Sequence, residues 1–253
     1  EAVATALDQT FAPAEVIVED FAAKRKLNLP RRIVAYHDRA SAAAEQYRKI
    51  RDGLMAGNPK RDPQALVFTS ARGGEGKTTT VLNLGLSLVE LRANRVLLVD
   101  GCLHESRRDG RGLSQMLKLP AARGLAELLA SPAAGPGAER DSQPFIQATP
   151  WHHLYVLPAG APTTSAAAIE MLSASGGTVL RGILRQLRAS FSWILIDAPA
   201  ITPLPDAGLL GVAADGMILT AAMHHTPAAR LQAATRKLRS LNLPVKGVVL
   251  TRA

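Results

Sequence analysis

The sequence of 253 residues lacks features that mark several large classes of protein. It contains a single cysteine, Cys102, which excludes a disulfide framework and a cysteine-rich metal site. No apolar run approaches the roughly 18 to 20 residues that cross a membrane, and the N-terminus lacks the apolar core of a signal peptide. We therefore expect a soluble chain and take the cytoplasm as its default compartment.

Aromatic residues are also scarce, at 4% of the sequence, whereas aliphatic residues abound. This composition suits a parallel sheet covered by helices better than a β-sandwich, and the length suits one large α/β domain. The net charge of +9 is compatible with nucleic acid, an acidic membrane surface or an acidic protein, but the basic residues are scattered and charge alone decides nothing. The chain begins at Glu1 without a methionine and ends just after an apolar run, so we expect a fragment.

Short apolar runs recur along the chain and have the near-continuous hydrophobicity of strands buried on both faces. Helical patterns lie between them, such as the one that starts at Thr226 and Pro227. This alternation predicts an α/β fold with a doubly wound, mainly parallel sheet and helices on both faces, whose ligand binds beyond the carboxyl ends of the strands. The predicted strands are residues 65–69, 95–100, 154–158, 193–199, 216–221 and 245–251.

Two parts of the chain fit this pattern poorly. Residues 1–33 have weak periodicity and are interpreted as a lead-in or linker, which leaves residues 34–253 as the predicted domain. Residues 131–144 form a polar insert that we expect to be mobile.

The stretch SARGGEGKTTT, residues 70–80, follows the first predicted strand and precedes an apolar helix. Its pattern is that of a P-loop, with Ala71 in place of the usual first glycine. The glycines let successive N–H groups face a phosphate, and the helix adds its positive dipole end, so nucleotide binding is favoured over a flexible loop that only caps a strand. Lys77 is expected to reach the β and γ phosphates, and the Thr78 hydroxyl to ligate magnesium. The predicted nucleotide-binding residues are Arg72, Gly73, Gly74, Glu75, Gly76, Lys77, Thr78 and Thr79.

Two aspartates end predicted strands and are expected to point at this loop. Asp197 ends the run WILID, as a Walker B acid does, and would hold a magnesium-bound water; a carboxylate that caps the next turn is the alternative. Asp100 ends the run RVLLVD and would share metal and water positioning. We expect Lys77, Asp100 and Asp197 to be catalytic, and Thr78, Asp100 and Asp197 to bind the metal.

The order of these motifs, continued by LPAGAPTT, AADGMILT and VKGVVLTR, resembles the cytoplasmic domain of bacterial tyrosine kinases of capsule and exopolysaccharide systems. These kinases are related to ParA/MinD-type ATPases, and the resemblance covers about residue 34 to the end. It implies a P-loop NTPase of the deviant Walker type, with ATP or ADP and Mg²⁺ as cofactors and protein-tyrosine autokinase activity. It also implies a membrane polysaccharide co-polymerase protein as partner, a place at the inner membrane through that partner, and no specific nucleic acid.

A predicted helix from Ser41 to about Met55 carries the stretch EQYRKIR, which fits the E-x-x-R-x-x-R signature of that family with Glu45, Arg48 and Arg51. In the family this helix mediates ring-like self-association, so the resemblance implies a homo-oligomer. The three residues recur every third position and are expected to form a charged stripe opposite the apolar side, able to pair with a neighbouring subunit. A solvated helix face is the alternative.

The sequence departs from the family at the end of the second predicted strand. The family reads D-x-D there, whereas Cys102 stands two residues after Asp100. A thiol is a poor ligand for a hard cation, so we expect weakened catalysis with little loss of nucleotide binding. The family arginine that follows is replaced by His104, although Arg107 and Arg108 lie near in sequence.

Other departures bear on the base and on the phosphoacceptor. Thr251 stands where relatives often carry an asparagine near the base, so adenine preference rests on resemblance alone. Arg72 occupies the position of the signature lysine that in ParA/MinD-type loops crosses to the phosphates of the partner subunit. We interpret it as a solvated loop residue, and an arginine that crosses in the same way is the alternative. The tyrosines are Tyr36, Tyr47 and Tyr155, so a C-terminal tyrosine cluster either lies beyond this fragment or does not exist.

Three functions remain open from the sequence. The first is an ATP- and magnesium-dependent tyrosine autokinase domain. The second is a non-enzymatic nucleotide-binding regulator of the same assembly, in which Cys102 lowers turnover. The third is a partitioning-type ATPase that binds DNA through a basic surface, but Arg72 and the E-x-x-R-x-x-R helix do not fit that function.

Overall fold

The computed structural model describes residues 29–104, 112–119, 123–131, 140–202 and 205–251. In chain order the strands are β1 (Gln64–Ser70), β2 (Val96–Asp100), β3 (Gln147–Ala148), β4 (Leu154–Leu157), β5 (Trp193–Asp197), β6 (Gly216–Ala222) and β7 (Val245–Thr251). The described helices are α1 (Val34–His37), α2 (Ala42–Ala56), α3 (Lys77–Val89), α4 (Leu113–Met116), α5 (Leu125–Ala130), α6 (Ser165–Ser173), α7 (Thr178–Leu187), α8 (Asp206–Ala213) and α9 (Ala228–Ser240), with 3-10 turns at Gln143–Phe145 and Ala174–Gly177.

The strands form one seven-stranded sheet in the order β3-β4-β2-β5-β1-β6-β7. Neighbouring strands are parallel except for β3, which pairs antiparallel with β4 at the edge. The predicted doubly wound, mainly parallel sheet is therefore confirmed. Strand β3 was not predicted, because two residues are too few to show a periodicity.

Helices cover both faces of the sheet, as expected for strands that are buried on both sides. On one face, α3 packs with α1 and with the partly buried Tyr47, Ile50 and Leu54 of α2. Helices α6, α7, α8 and α9 contribute buried residues to the apolar layer on the other face. Among the described residues, no helix is both long and apolar enough to cross a membrane.

The strand order places the carboxyl ends of β1, β2 and β5 side by side. The chain leaves β1 through α3 and reaches β2 on one side, whereas it leaves β5 through α8 and reaches β6 on the other side of β1. Chain connections that diverge in this way open a crevice beyond the strand ends, where ligands of doubly wound sheets bind. The P-loop and both predicted acids follow or end these three strands.

Part of the predicted lead-in belongs to the packed domain. Leu29 and Ile33 are 3% and 0% exposed and join the apolar layer around α3, which differs from the loosely packed segment expected over residues 1–33. Their burial depends on contacts with α3, which lies far away in sequence and leaves no local periodic signal. Residues 1–28, residues 132–139 of the predicted insert, and Arg107 and Arg108 lie outside the described residues.

Candidate nucleotide-binding site

The loop between β1 and α3 has the backbone shape of an anion-binding turn. Gly74 and Gly76 have φ values of +78° and +85°, in the left-handed region that favours glycine, and Gly76 is the N-cap of α3. The loop therefore curls over the positive end of a helix of 13 residues. Lys77, the first residue of α3, is 5% exposed and its Nζ donates to Ser70 Oγ at 2.8 Å, which holds the ammonium group beside the loop.

The predicted magnesium ligands Thr78 and Asp197 meet below this loop. The Thr78 hydroxyl donates to Asp197 Oδ2 at 2.6 Å, and Asp197 is 0% exposed. They meet because β1 and β5 are parallel neighbours in which Phe68 is the register partner of Asp197. A hydroxyl and a carboxylate are oxygen ligands of the kind that Mg²⁺ prefers, so these two side chains fit that ion.

Asp100 lies next to Asp197 in the sheet, and the carboxylate of Asp100 accepts hydrogen bonds from Ser114 and Cys102. The two residues are register partners on β2 and β5. Asp100 Oδ2 accepts from the N–H of Ser114 at 3.2 Å and from its hydroxyl at 2.9 Å, and Oδ1 accepts from the N–H of Cys102 at 3.3 Å. The two bonds from Ser114 connect Asp100 to the first turn of α4, and the catalytic and metal-binding roles of Asp100 stay predictions.

Cys102 lies buried against the main chain of the second acid. The residue is 5% exposed, and its thiol donates to the carbonyl oxygen of Asp197 at 3.5 Å. The thiol therefore occupies the space beside the end of β5 where the family motif led us to expect a carboxylate. A carboxylate in the same place would bring negative charge close to a carbonyl oxygen and to Asp100.

Glu75 shapes the loop, a role that sequence reasoning missed. Its side chain is buried; Oε2 accepts from the N–H of Arg72 at 3.1 Å, and Oε1 accepts from the hydroxyl of Thr226 at 2.5 Å. The first bond closes the loop on itself, and the second fastens it to the turn after β6. Thr226 lies about 150 residues downstream, so no local pattern marks this contact.

Thr251, predicted to lie near the base, contacts the backbone of the same loop. Its hydroxyl donates to the carbonyl oxygen of Glu75 at 3.1 Å. A Cβ on Gly76 would lie 3.0 Å from Thr251 Cγ2, so glycine also provides the space for this approach. The end of β7 therefore supports the P-loop from the side opposite β5.

Four predicted nucleotide contacts remain at the surface of the loop or of α3. Arg72, Gly73 and Gly74 are exposed and Thr79 is half-buried. The exposure of the Arg72 side chain agrees with its interpretation as a solvated loop residue.

The E-x-x-R-x-x-R residues lie differently from the expected stripe. Arg51 is 9% exposed and donates to Ser87 O and to Glu90 Oε2, both at 3.2 Å, at the far end of α3. Arg48 donates to Glu90 Oε2 and to Glu45 Oε2, both at 3.0 Å. The bonds to Glu90 and then to Glu45 raise the pKa of the Arg48 guanidinium above its usual value. The expectation that all three face outward, opposite the apolar side, is therefore wrong for Arg51. The spacing of residues along α2 could not show that Glu90, at the end of the neighbouring helix α3, lies within reach of Arg51.

The match to known sequences agrees with this geometry. The sequence model of a family described as an AAA domain matches residues 64–241, which run from the start of β1 to just beyond α9. The chain belongs to this AAA-domain family. The matched region contains the P-loop, Asp100 and Asp197.

Curated relatives of this AAA-domain chain include kinases, transport proteins and partitioning ATPases. Tyrosine-protein kinase YwqD of Bacillus subtilis is 26% identical over 233 residues, which are 89% of this chain and 88% of the relative. Succinoglycan biosynthesis transport protein ExoP of Rhizobium meliloti is 26% identical over 84% of this chain, which spans only 25% of ExoP. Chromosome-partitioning ATPase Soj of Treponema pallidum is 33% identical over 58% of this chain and 51% of its own length.

Solved structures have the same fold. The kinase domain of Escherichia coli tyrosine kinase ETK aligns with a TM-score of 0.73 and 21% identity, over 90% of this chain and 84% of ETK. Septum site-determining protein MinD of Pyrococcus horikoshii, complexed with Mg-ADP, aligns with a TM-score of 0.57 and 25% identity, over 74% of this chain and 70% of MinD. The resemblance to bacterial tyrosine kinases and MinD-type ATPases that the motifs indicated is thereby confirmed.

We predict that Glu75→Ala destabilises the domain by about 1 to 3 kcal/mol, because it leaves the partly buried Thr226 hydroxyl and the Arg72 N–H without their charged acceptor. Urea unfolding monitored by circular dichroism measures this free energy. Arg72→Ala removes an exposed side chain from the same loop, keeps the N–H bond to Glu75, and serves as the control with little expected change. Equal stability of Glu75→Ala and the parent would show that these bonds do not hold the loop.

Proposed function

We propose that this domain binds ATP or ADP with Mg²⁺ and acts as a protein-tyrosine autokinase domain that regulates exopolysaccharide or capsule synthesis and export. The observation that carries the proposal is the 2.6 Å bond between Thr78 and Asp197 next to the P-loop. The ammonium group of Lys77 lies beside the same loop, where it donates to Ser70 Oγ. The names of YwqD and of CpsD of Streptococcus agalactiae, both tyrosine-protein kinases, support the reaction class.

The proposed reaction needs mainly positioning and charge neutralisation from the protein. The tyrosine oxygen forms a bond to the γ-phosphorus while the bond from that phosphorus to the bridging oxygen of ADP breaks. Lys77 neutralises charge on the β and γ phosphates, and the N–H groups around Gly74 and Gly76 orient them. We assign the proton of the tyrosine hydroxyl to Asp100, at the end of the neighbouring strand.

Thr78 and Asp197 are the residues that would hold Mg²⁺, and Asp100 is the further candidate. When bound, the ion supplies neutralisation of the charge that develops on the β and γ oxygens. The chain itself supplies two buried oxygen ligands at the start of α3, the Thr78 hydroxyl and the Asp197 carboxylate. The register between β1 and β5 keeps them together.

A non-enzymatic nucleotide-binding regulator of the same assembly is the second candidate. The observation that favours it is Cys102, whose thiol lies on the Asp197 carbonyl where the kinase motif has a carboxylate. Both candidates include weakened catalysis: the kinase retains slow turnover, whereas the regulator has lost turnover and only binds nucleotide. A partitioning function has less support, since Soj matches 58% of the chain whereas YwqD matches 89%.

We further propose a membrane polysaccharide co-polymerase as the partner, which would bring the domain to the cytoplasmic side of the inner membrane. The support is that the chain matches a quarter of ExoP, a longer protein named for succinoglycan biosynthesis transport. Self-association through the outer face of α2 completes the proposal. Glu45 is exposed on that face, and Arg48 is partly exposed beside it.

For nucleotide binding, we predict that Lys77→Met raises the Kd for Mg-ADP by about tenfold or more, because it removes the charge that neutralises the phosphates. Isothermal titration calorimetry measures the Kd. Arg72→Met removes a cation from the exposed part of the same loop and should leave the Kd within about threefold of the parent. An unchanged Kd in Lys77→Met would contradict the assignment of the P-loop.

For turnover, we predict that Cys102→Asp raises the single-turnover rate of ATP hydrolysis or of phosphotransfer to an added tyrosine peptide on the order of tenfold, which corresponds to about 1.4 kcal/mol. The reason is that the restored acid completes the D-x-D pair beside Asp197. Cys102→Ser removes the thiol without adding charge and should stay at the parent rate. A fast parent, or a well-folded Cys102→Asp protein no faster than a slow parent, counts against an impaired metal site.

For self-association, we expect the parent to form oligomers in the presence of nucleotide and the Glu45→Ala/Arg48→Ala double variant to form a smaller species. This pair removes the Arg48–Glu90 bond and leaves the contacts of Arg51 with Glu90 and Ser87 in place. Loss of assembly therefore counts as loss of a subunit contact only if urea unfolding of the variant matches that of the parent. Lys49→Ala changes another exposed residue of α2 and serves as the control. Light scattering measures the mass, and a monomeric parent at high concentration would refute self-association.

A further inference from the structure

A buried histidine and a buried aspartate lie beside the acidic ends of β2 and β5. Nε2 of His104 is 3.4 Å from Oδ2 of Asp206, and the two side chains are 6% and 0% exposed. Burial raises the pKa of the Asp206 carboxyl, and the charge of His104 opposes that rise. A buried carboxylate is costly to ionise unless a basic partner accompanies it, and His104 is the basic side chain that lies against Asp206.

Helix α8 touches the segment after β2 at a second point, one helical turn further on. Leu210 is four residues after Asp206 and therefore lies on the same face of α8. A Cβ on Gly101 would lie 2.8 Å from Leu210 Cδ1 and 3.1 Å from the Asp197 carbonyl oxygen. A larger residue at position 101 would therefore have to displace the end of the Leu210 side chain and would press on the backbone at the end of β5.

His104 also connects this segment to the loop after β4. The N–H of Thr163 donates to Leu103 O at 3.0 Å, and His104 and Thr163 pair as a short parallel bridge. One residue therefore joins the connections that follow β2, β4 and β5 at the carboxyl edge of the sheet.

We propose that the pair of His104 and Asp206 is a clasp that holds the segment after β2 against the helix after β5, and thereby restrains the spacing of Asp100 and Asp197 that the β2–β5 register sets. The N–H of Gly101 donates to Asp197 O at 2.9 Å, so the clasped segment is bonded directly to the second acid. His104 and Asp206 act through these neighbours and are positioning residues. The effect of the clasp on turnover rests on the proposed function, whereas its effect on the spacing does not.

The clasp is tested by hydrogen exchange and mass spectrometry on the whole domain, which measure how often the backbone of the clasped segment opens. Asp206→Asn keeps the shape of the side chain and removes its charge; His104→Gln tests the other partner and replaces the first variant if that one does not fold. In both, amide protection over residues 100–104 should fall by about tenfold or more, while protection over β1 stays at the parent value.

Asp215→Asn is the matched control for loss of a paired aspartate. The Asp215 carboxylate accepts from Arg188 at 2.9 Å and from the Ala65 N–H at 2.7 Å. These contacts lie at the amino ends of β1 and β6, away from the carboxyl ends of the strands. Its loss should leave protection over residues 100–104 unchanged. Unchanged protection there in Asp206→Asn and His104→Gln, or an equal loss in Asp215→Asn, overturns the proposal.

Turnover separates a positioning role from a merely structural one. Each single variant should lower kcat for ATP hydrolysis about tenfold with KM for ATP within about twofold, and the double variant should be no slower than the singles, because both changes open the same clasp. A multiplicative loss of about a hundredfold, or an effect on KM alone, overturns the positioning role. A parent without ATP hydrolysis would refute the proposed enzyme activity instead, and hydrogen exchange would then decide the clasp by itself.

Discussion

The parallel register between β1 and β5 is the constraint on which the candidate site depends. It sets the end of β5 beside the loop that leaves β1, so that Thr78 at the start of α3 reaches Asp197 with a bond of 2.6 Å. The register of β2 with β5 places Asp100 on the other side of the same acid. A shift of either strand by one residue would turn an acid toward the opposite face of the sheet and separate the oxygens.

Distant side chains complete the P-loop. Glu75 is buried and bonded to Thr226, and the hydroxyl of Thr251 bonds to the Glu75 carbonyl, so the ends of β6 and β7 hold the loop from outside. At the other end of α3, Glu90 binds Arg48 and Arg51 of α2. The helix that starts at the nucleotide site is thus fastened by polar contacts at both ends.

The segment after β2 places two buried side chains next to the end of β5 and the start of α8. They are Cys102 and His104, which are 5% and 7% exposed. The thiol fits in the small space beside the Asp197 carbonyl, and the imidazole lies by the buried Asp206. Both side chains therefore pack at the border of the candidate site, and their effect on turnover stays a prediction.

The sequence by itself determined the elements that local periodicity and backbone chemistry encode. Six of the seven strands, the P-loop with its glycines at positive φ, and the two acids at strand ends follow from apolar runs and from residue types with few alternatives. Only the tertiary structure decided the partners of the charged and polar side chains. Glu75 with Thr226, Arg51 with Glu90 and His104 with Asp206 join residues between about 40 and 150 positions apart, and one-dimensional spacing carries no information about which acid or hydroxyl a fold brings within 3 or 4 Å.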